Sequence, residues 1–128
     1  MSYIFGIGTD VVDISRIKKL FNNNKKFKNR IFSKNEIRYC ESKNNKTAYY
    51  SKRFAAKEAF VKALGTGISK GISFNEISIN NNNKGAPFIE LTGKTKLIVK
   101  NLIKSKNKIY LSLSDEKKYA LAMVVISH

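Results

Sequence analysis

The segment from Thr47 to Leu64 constrains the fold more than any other part of the sequence. Alanine, the strongest helix former, recurs five times in it, and Gly65 follows where a left-handed glycine commonly ends a helix. Its apolar residues lie around most of the helix circumference, whereas a surface helix carries an apolar stripe on one side. We therefore predict a long central helix with the rest of the chain packed around it.

The remaining segments alternate between strand and helix patterns. Strands are predicted at 3–10, 72–79, 87–91, 109–114 and 119–126, the last two as a hairpin. Helices are predicted at 12–21, at 94–105 and, after a capping box formed by Ser33 and Glu36, through Glu41. The stretch 25–31 is predicted to be a basic connection. Together these patterns favour an α+β fold, with an antiparallel sheet packed on the central helix.

Length and cysteine content limit the class of protein. The 128 residues contain no internal repeat and suit one domain spanning 1–128. A single cysteine, Cys40, excludes an internal disulfide framework. No apolar run approaches the roughly 18 residues that a membrane span needs, and the N-terminus lacks the pattern of a secretory signal. We therefore expect a cytoplasmic protein without a membrane partner.

The charge balance is strongly basic and predicts an anionic partner. The sequence has 25 Lys and Arg against 9 Asp and Glu, a net charge of +16. Nucleic acid, an acidic protein, a phosphorylated small molecule and an anionic membrane surface all suit such a charge. Lysine and asparagine also cluster at 22–26 and 80–84, as compositional drift at tolerant surface positions would produce. The charge alone leaves these alternatives open.

The first strand carries large and small side chains on opposite faces. Its bulky residues occupy the odd positions Tyr3, Phe5 and Ile7, so this face is predicted to pack on the core. The other face carries Gly6, Gly8 and Asp10. Glycine within a strand marks a bulge or a close backbone approach, and here it leaves room for a ligand beside the carboxylate.

Three polar residues have the chemistry of a metal and phosphate site. Glu58 and Lys62 are four apart on the central helix, which is either an ordinary surface pair or a half-buried carboxylate that needs a partner. Asp10 is either a cap of the following helix or a second carboxylate beside Glu58. Two carboxylates with water and phosphate oxygens are a common way to hold Mg²⁺.

A glycine-rich segment follows the central helix. Gly65-Thr66-Gly67 is either a helix C-cap or a loop whose amides line a phosphate, and Arg53, Lys57 and Lys62 supply cations nearby. The single histidine, His128, is terminal, which argues against a Ser-His-Asp triad.

Two motifs resemble a known family. They are the segment from Gly6 to Ile17 and the segment from Arg53 to Ile68, and the second is long and highly specific. The chain resembles the holo-acyl-carrier-protein synthases, the small bacterial-type 4′-phosphopantetheinyl transferases, over nearly its whole length. The segments 30–36, 85–87 and 111–126 also fit this family.

The resemblance implies an activity and an assembly. The family transfers 4′-phosphopantetheine from coenzyme A to a serine of apo-acyl carrier protein, requires Mg²⁺ and releases adenosine 3′,5′-bisphosphate. It supports fatty acid biosynthesis and is typically a homotrimer with coenzyme bound between subunits. These properties are expectations for this chain.

The resemblance also implies roles for individual residues. Asp10 and Glu58 match the Mg²⁺ ligands, with Glu58 also a base for the carrier serine. Lys62 matches the cation that neutralises the pyrophosphate, and Arg53 and the segment Gly65-Thr66-Gly67 match coenzyme contacts. Asp115 departs from the pattern, because many members carry His there. That change removes a cation from the coenzyme site and argues against a histidine base.

A basic face suits the acidic carrier protein. We expect it to dock on residues of the first helix and of the basic segment after it: Arg16, Lys19, Lys25, Lys26 and Arg30. Two other functions stay open. One is a nucleic-acid-binding module, against which the chain shows no recognised binding motif. The other is an inactive relative that binds coenzyme A without transfer.

Overall fold

A 19-residue helix, Lys46–Leu64, runs through the centre of the protein in a computed structural model that describes residues 3–65 and 71–128. The elements in chain order are β1 (Ile4–Asp13), α1 (Ile14–Asn23), α2 (Phe27–Ile31), α3 (Lys34–Glu41), α4 (Lys46–Leu64), β2 (Ile77–Asn81), β3 (Pro87–Leu91), α5 (Gly93–Leu102), β4 (Lys108–Asp115) and β5 (Tyr119–Ser127). The long central helix, α4, is therefore confirmed.

Two antiparallel sheets surround α4. One has the strand order β1-β5-β4, and the other is the hairpin of β2 and β3. Alternate residues of β5 face α4 and are fully buried: Ala120, Ala122, Val124 and Ile126. Because several of these side chains are small, the sheet lies close to the alanine-rich helix. The α+β fold with an antiparallel sheet on a central helix is confirmed.

The prediction for the two faces of β1 is wrong. Tyr3 and Ile7 are 59% and 58% exposed, although Phe5 packs partly against the core. The glycine face is the one that contacts α4, where a Cβ atom on Gly6 or Gly8 would overlap a helix carbonyl oxygen. The space beside these glycines is filled by the backbone of α4 rather than left for a ligand. Close approach of strand and helix decides which face is buried.

Three local predictions also change. Strand β1 continues to Asp13, whose side chain accepts the amide of Ser15 at 2.9 Å and caps α1, so Asp10 is not the cap. The predicted connection at 25–31 contains a short helix, α2, whose first residue, Phe27, packs against Phe21 with 5.6 Å between the ring centres. Strand β2 starts at 77 rather than 72, after a single 3-10 turn at 74–76.

The capping box of α3 is confirmed and is part of a larger buried network. Glu36 accepts the backbone amide of Ser33 at 2.9 Å and that of Ile79 at 3.0 Å. Lys57 of α4 donates to Glu36 at 2.7 Å and to the carbonyl oxygens of Phe74 and Ile77. Glu36 and Lys57 are both fully buried. This ion pair fixes the rotation of α4 and so sets which side of the helix its next residue faces.

The described helices give no sign of a membrane span. None in residues 3–65 and 71–128 combines the length and the apolar character that crossing a bilayer requires.

Candidate active site

Asp10, Glu58 and Lys62 come together where β1 crosses α4. The ammonium of Lys62 donates to Asp10 Oδ1 at 3.1 Å and to the carbonyl oxygen of Thr9 at 2.9 Å. Because Gly6 and Gly8 bring β1 against the helix, the next residue on the same face, Asp10, is held at the helix surface. The one-turn spacing of Glu58 and Lys62 places both beside it.

The electrostatics of Glu58 suit a divalent cation. Burial raises the pKa of Glu58 above its ordinary value of 4.5, and the charge of Asp10 raises it further, while Lys62 and Arg16 oppose the shift. Two neighbouring carboxylates gain from a cation between them, because the cation offsets the repulsion between their negative charges.

The donor set fits Mg²⁺, which prefers oxygen ligands and retains several waters. Within the described ranges, no group of three or more acidic, histidine or cysteine side chains forms a metal cluster. The two carboxylates would therefore share the ion with water and with substrate oxygens.

Arg53 lies on another face of α4. It precedes Glu58 by five residues, which is about 7.5 Å along a helix and about 140° around it. Its side chain is buried, donates to Asn81 Oδ1 at 2.8 Å and to the carbonyl oxygen of Tyr49 at 3.3 Å, and stacks 4.4 Å from the ring centre of Tyr39. The structure does not bring Arg53 together with the carboxylates in one chain.

The Arg53 side chain lines a cavity of about 300 Å³, which we call the Arg53 pocket; its lining includes Tyr39, Tyr49, Lys52, Asn81 and Leu113. Within the described part of the chain, the buried Nε of Arg53 has no hydrogen-bond partner. A buried guanidinium with an unused donor beside a cavity suits an anionic ligand.

The other candidates are placed differently. Lys57, which the sequence analysis grouped with the nearby cations, is fully buried and forms an ion pair with Glu36. Gly65 adopts a left-handed φ of 77° and its amide donates to the carbonyl oxygen of Lys62, so it caps α4 as one of the two alternatives predicts. Thr66 and Gly67 lie outside the described residues.

The predicted docking residues are all exposed: Arg16, Lys19, Lys25, Lys26 and Arg30. The charge of Arg16 opposes the rise in the pKa of Glu58, so Arg16 lies near the carboxylates.

A family model described as the 4′-phosphopantetheinyl transferase superfamily matches residues 6–124. The chain belongs to this superfamily. The family and enzyme class predicted from the two motifs are thus confirmed.

Individual superfamily members match over nearly full length. The chain is 46% identical over 124 residues to a holo-[acyl-carrier-protein] synthase of Pelagibacter ubique, covering 96% of each sequence. It is 37% identical to the solved synthase of Neisseria meningitidis, with a TM-score of 0.87 and coverage of 97% and 98%. It is 34% identical to the synthase of Bacillus anthracis solved in complex with CoA (3′,5′-ADP), with a TM-score of 0.79 and coverage of 97% and 96%.

Sequence reasoning missed most of the Arg53 pocket. The spacing of Tyr49 and Arg53, one helical turn apart, is a weak signal that their side chains share a face. Tyr39 and Asn81 come from other elements, and nothing in their spacing connects them with α4. The pocket forms where α3, β2, β3 and β4 all pack on the side of α4 that carries Arg53.

Proposed function

We propose that this protein transfers 4′-phosphopantetheine from coenzyme A to a serine of an apo-acyl carrier protein and releases adenosine 3′,5′-bisphosphate. The observation that carries the proposal is the meeting of Asp10, Glu58 and Lys62 at the crossing of β1 and α4. The names of the matched synthases and the coenzyme in the Bacillus anthracis structure support it. The reaction supports fatty acid biosynthesis in the cytoplasm, carried out by one domain spanning 1–128.

In this proposal Asp10 and Glu58 would hold Mg²⁺, and the ion would supply positive charge to the coenzyme pyrophosphate. The serine oxygen attacks the β-phosphorus, and the bond from that phosphorus to the oxygen of adenosine 3′,5′-bisphosphate breaks. Glu58, which lies beside the reacting centre in this proposal, takes the serine proton. No protein nucleophile is needed.

Lys62 stabilises the leaving bisphosphate. Its side chain is 55% exposed, and within the described residues its ammonium makes two hydrogen bonds, to Asp10 and to Thr9. A lysine ammonium has three donors, so one is left for a phosphate oxygen. Charge develops on the leaving group as the bond breaks, and a preorganised cation at that place lowers the barrier.

The Arg53 pocket is proposed to bind the other phosphate of the coenzyme. In this proposal the pyrophosphate of the coenzyme binds at the reacting centre. The 3′-phosphate of the coenzyme is therefore the phosphate group available to a second cationic site. Because Arg53 faces away from Glu58, we propose that the pocket of one copy serves the coenzyme held by another. The segment Gly65-Thr66-Gly67 is proposed as a further coenzyme contact.

A second copy has a surface to bind. The face of the β1-β5-β4 sheet that points away from α4 carries large exposed apolar residues: Ile7, Val11, Tyr110, Tyr119, Leu121 and Met123. Contiguous apolar patches of this kind mark protein interfaces. We propose that this face forms the homotrimer, with each site completed by a neighbouring subunit.

The carrier protein is proposed to dock on five exposed basic residues, of which Arg16 lies near Glu58: Arg16, Lys19, Lys25, Lys26 and Arg30. An acidic carrier is attracted to this face and delivers its serine next to the carboxylates. Contact with these side chains explains part of the net charge without nucleic acid.

The experiment is a mass-shift assay with the full chain, apo-acyl carrier protein, coenzyme A and Mg²⁺. We expect the carrier to gain the mass of one phosphopantetheine group, and to gain nothing with chelator present or with its serine replaced by alanine. A cognate carrier that stays unmodified in the complete mixture would refute the proposed function.

A further inference from the structure

Lys52, which lines the Arg53 pocket, forms an ion pair with Asp115. The ammonium of Lys52 lies 3.1 Å from Asp115 Oδ1, and the Lys52 side chain is only 18% exposed. It also lies 4.4 Å from the ring centre of Tyr49. Lys52 belongs to α4 and Asp115 ends β4, so the pair bridges two elements. These contacts hold a lysine at the pocket that would otherwise extend into solvent.

Lys52 and Arg53 are adjacent in sequence and line the same cavity. Lys43 adds a further positive charge, 4.6 Å from the ring centre of Tyr39. Asp115 is the carboxylate that contacts this basic group in the described part of the chain. An anion entering the pocket therefore meets Lys52 already paired with an internal anion.

We propose that Lys52 binds the phosphate that enters the Arg53 pocket and that Asp115 competes with this phosphate for the Lys52 ammonium. The competition sets the affinity for the 3′-phosphate group. This inference rests on the proposed function, because that function assigns the 3′-phosphate to the pocket.

The physical basis is the sign of each charge. Lys52 attracts a phosphate dianion, whereas a carboxylate within ion-pair distance of the same ammonium repels the dianion and offers the ammonium another partner. Adenosine 3′,5′-bisphosphate keeps the 3′-phosphate after the reaction. A carboxylate that weakens this contact lowers the affinity for the product as well as for the substrate. The lower affinity for the product favours its release.

The test measures binding of adenosine 3′,5′-bisphosphate and of coenzyme A to the full-length protein by calorimetry. Lys52→Ala should weaken both about tenfold, the scale of a lost charged hydrogen bond. Asp115→Asn should tighten both about three- to tenfold, because it removes a repulsive charge and frees the ammonium. The double variant should bind more weakly than Asp115→Asn and more tightly than Lys52→Ala.

Matched controls separate this contact from net charge. Lys46→Ala removes a lysine from the same helix that pairs with Glu41 at 3.2 Å, outside the pocket. Glu116→Gln removes the acid next to Asp115 in sequence. Both should leave the two affinities within about twofold of the wild type, as expected for screened surface charges. Lys52→Arg keeps the charge, and its affinity should stay within about threefold of the wild type and confirm that position 52 tolerates substitution.

Dephospho-coenzyme A, which lacks the 3′-phosphate, identifies the group concerned. With this ligand Lys52→Ala and Asp115→Asn should bind as the wild type does. Equal effects on coenzyme A and dephospho-coenzyme A, or weaker binding by Asp115→Asn, would overturn the inference while wild-type transfer activity persisted. Loss of the proposed function would appear differently, as absence of transfer by the wild type itself.

Discussion

Neighbouring residues of α4, Lys57 and Glu58, belong to opposite kinds of polar cluster. Lys57 is fully buried, and its ammonium donates to Glu36 and to two carbonyl oxygens. Glu58 is half-buried beside Asp10, and its burial, together with the charge of Asp10, raises its pKa. In the first cluster, all three donors of the Lys57 ammonium have partners within the protein. In the second cluster, the two carboxylates gain from an added cation. A buried charge whose partners are all internal contributes to the fold, whereas one that still needs a counter-ion can bind a ligand.

The largest expected effect is on turnover. Glu58→Gln should lower the transfer rate by about 10²–10⁴-fold, the range for loss of a general base. Its melting temperature should stay near that of the wild type, since among the described residues Glu58 has no buried ion pair like the one that Lys57 makes with Glu36. The rate is measured by the mass-shift assay under initial-rate conditions. A transfer rate equal to that of the wild type would remove Glu58 from the proposed mechanism.

The converse variant should act on stability. Lys57→Met leaves Glu36 as a buried carboxylate without its cation and should destabilise the fold by about 3–5 kcal/mol. Urea unfolding followed by circular dichroism measures the change. The double variant Glu36→Gln with Lys57→Met should recover part of the loss. If Lys57→Met is as stable as the wild type, the contrast between the two clusters fails.

The smallest effect is a titration shift. In metal-free protein, carbon-13 NMR of the Glu58 carboxyl should give a pKa above 4.5, because burial and Asp10 disfavour its charge. Since the folded state then binds this proton more tightly than the unfolded state, the stability contributed by Glu58 falls as pH rises from 4.5 through the folded pKa.

Added Mg²⁺ should lower the pKa of Glu58 in that titration, because the cation favours the charged carboxylate. The pKa of Asp13, which lies outside the site and is lowered by its hydrogen bonds to Ser15, serves as the control and should not respond. A Glu58 pKa that is the same with and without Mg²⁺ would argue against Glu58 as a ligand of the ion.

The sequence determined the elements that depend on local chemistry. Helix propensity and an apolar circumference were enough to predict α4, and the Ser33 and Glu36 capping box was enough to predict the start of α3. These two predictions are confirmed because spacing along a helix translates directly into a shared face. The resemblance singled out Asp10, Glu58 and Lys62, and their roles stay a prediction.

Only the tertiary structure decided which faces meet. Periodicity showed that β1 has a bulky face and a glycine face, and the rule that large apolar residues go inward selected the wrong one. The backbone of α4 approaches so closely that glycine alone fits, which leaves Ile7 exposed on the face proposed to meet another copy. The ion pairs of Lys57 with Glu36 and of Lys52 with Asp115 could not be predicted from the sequence pattern either. Packing determines such pairs, because local spacing carries no information about which distant elements come into contact.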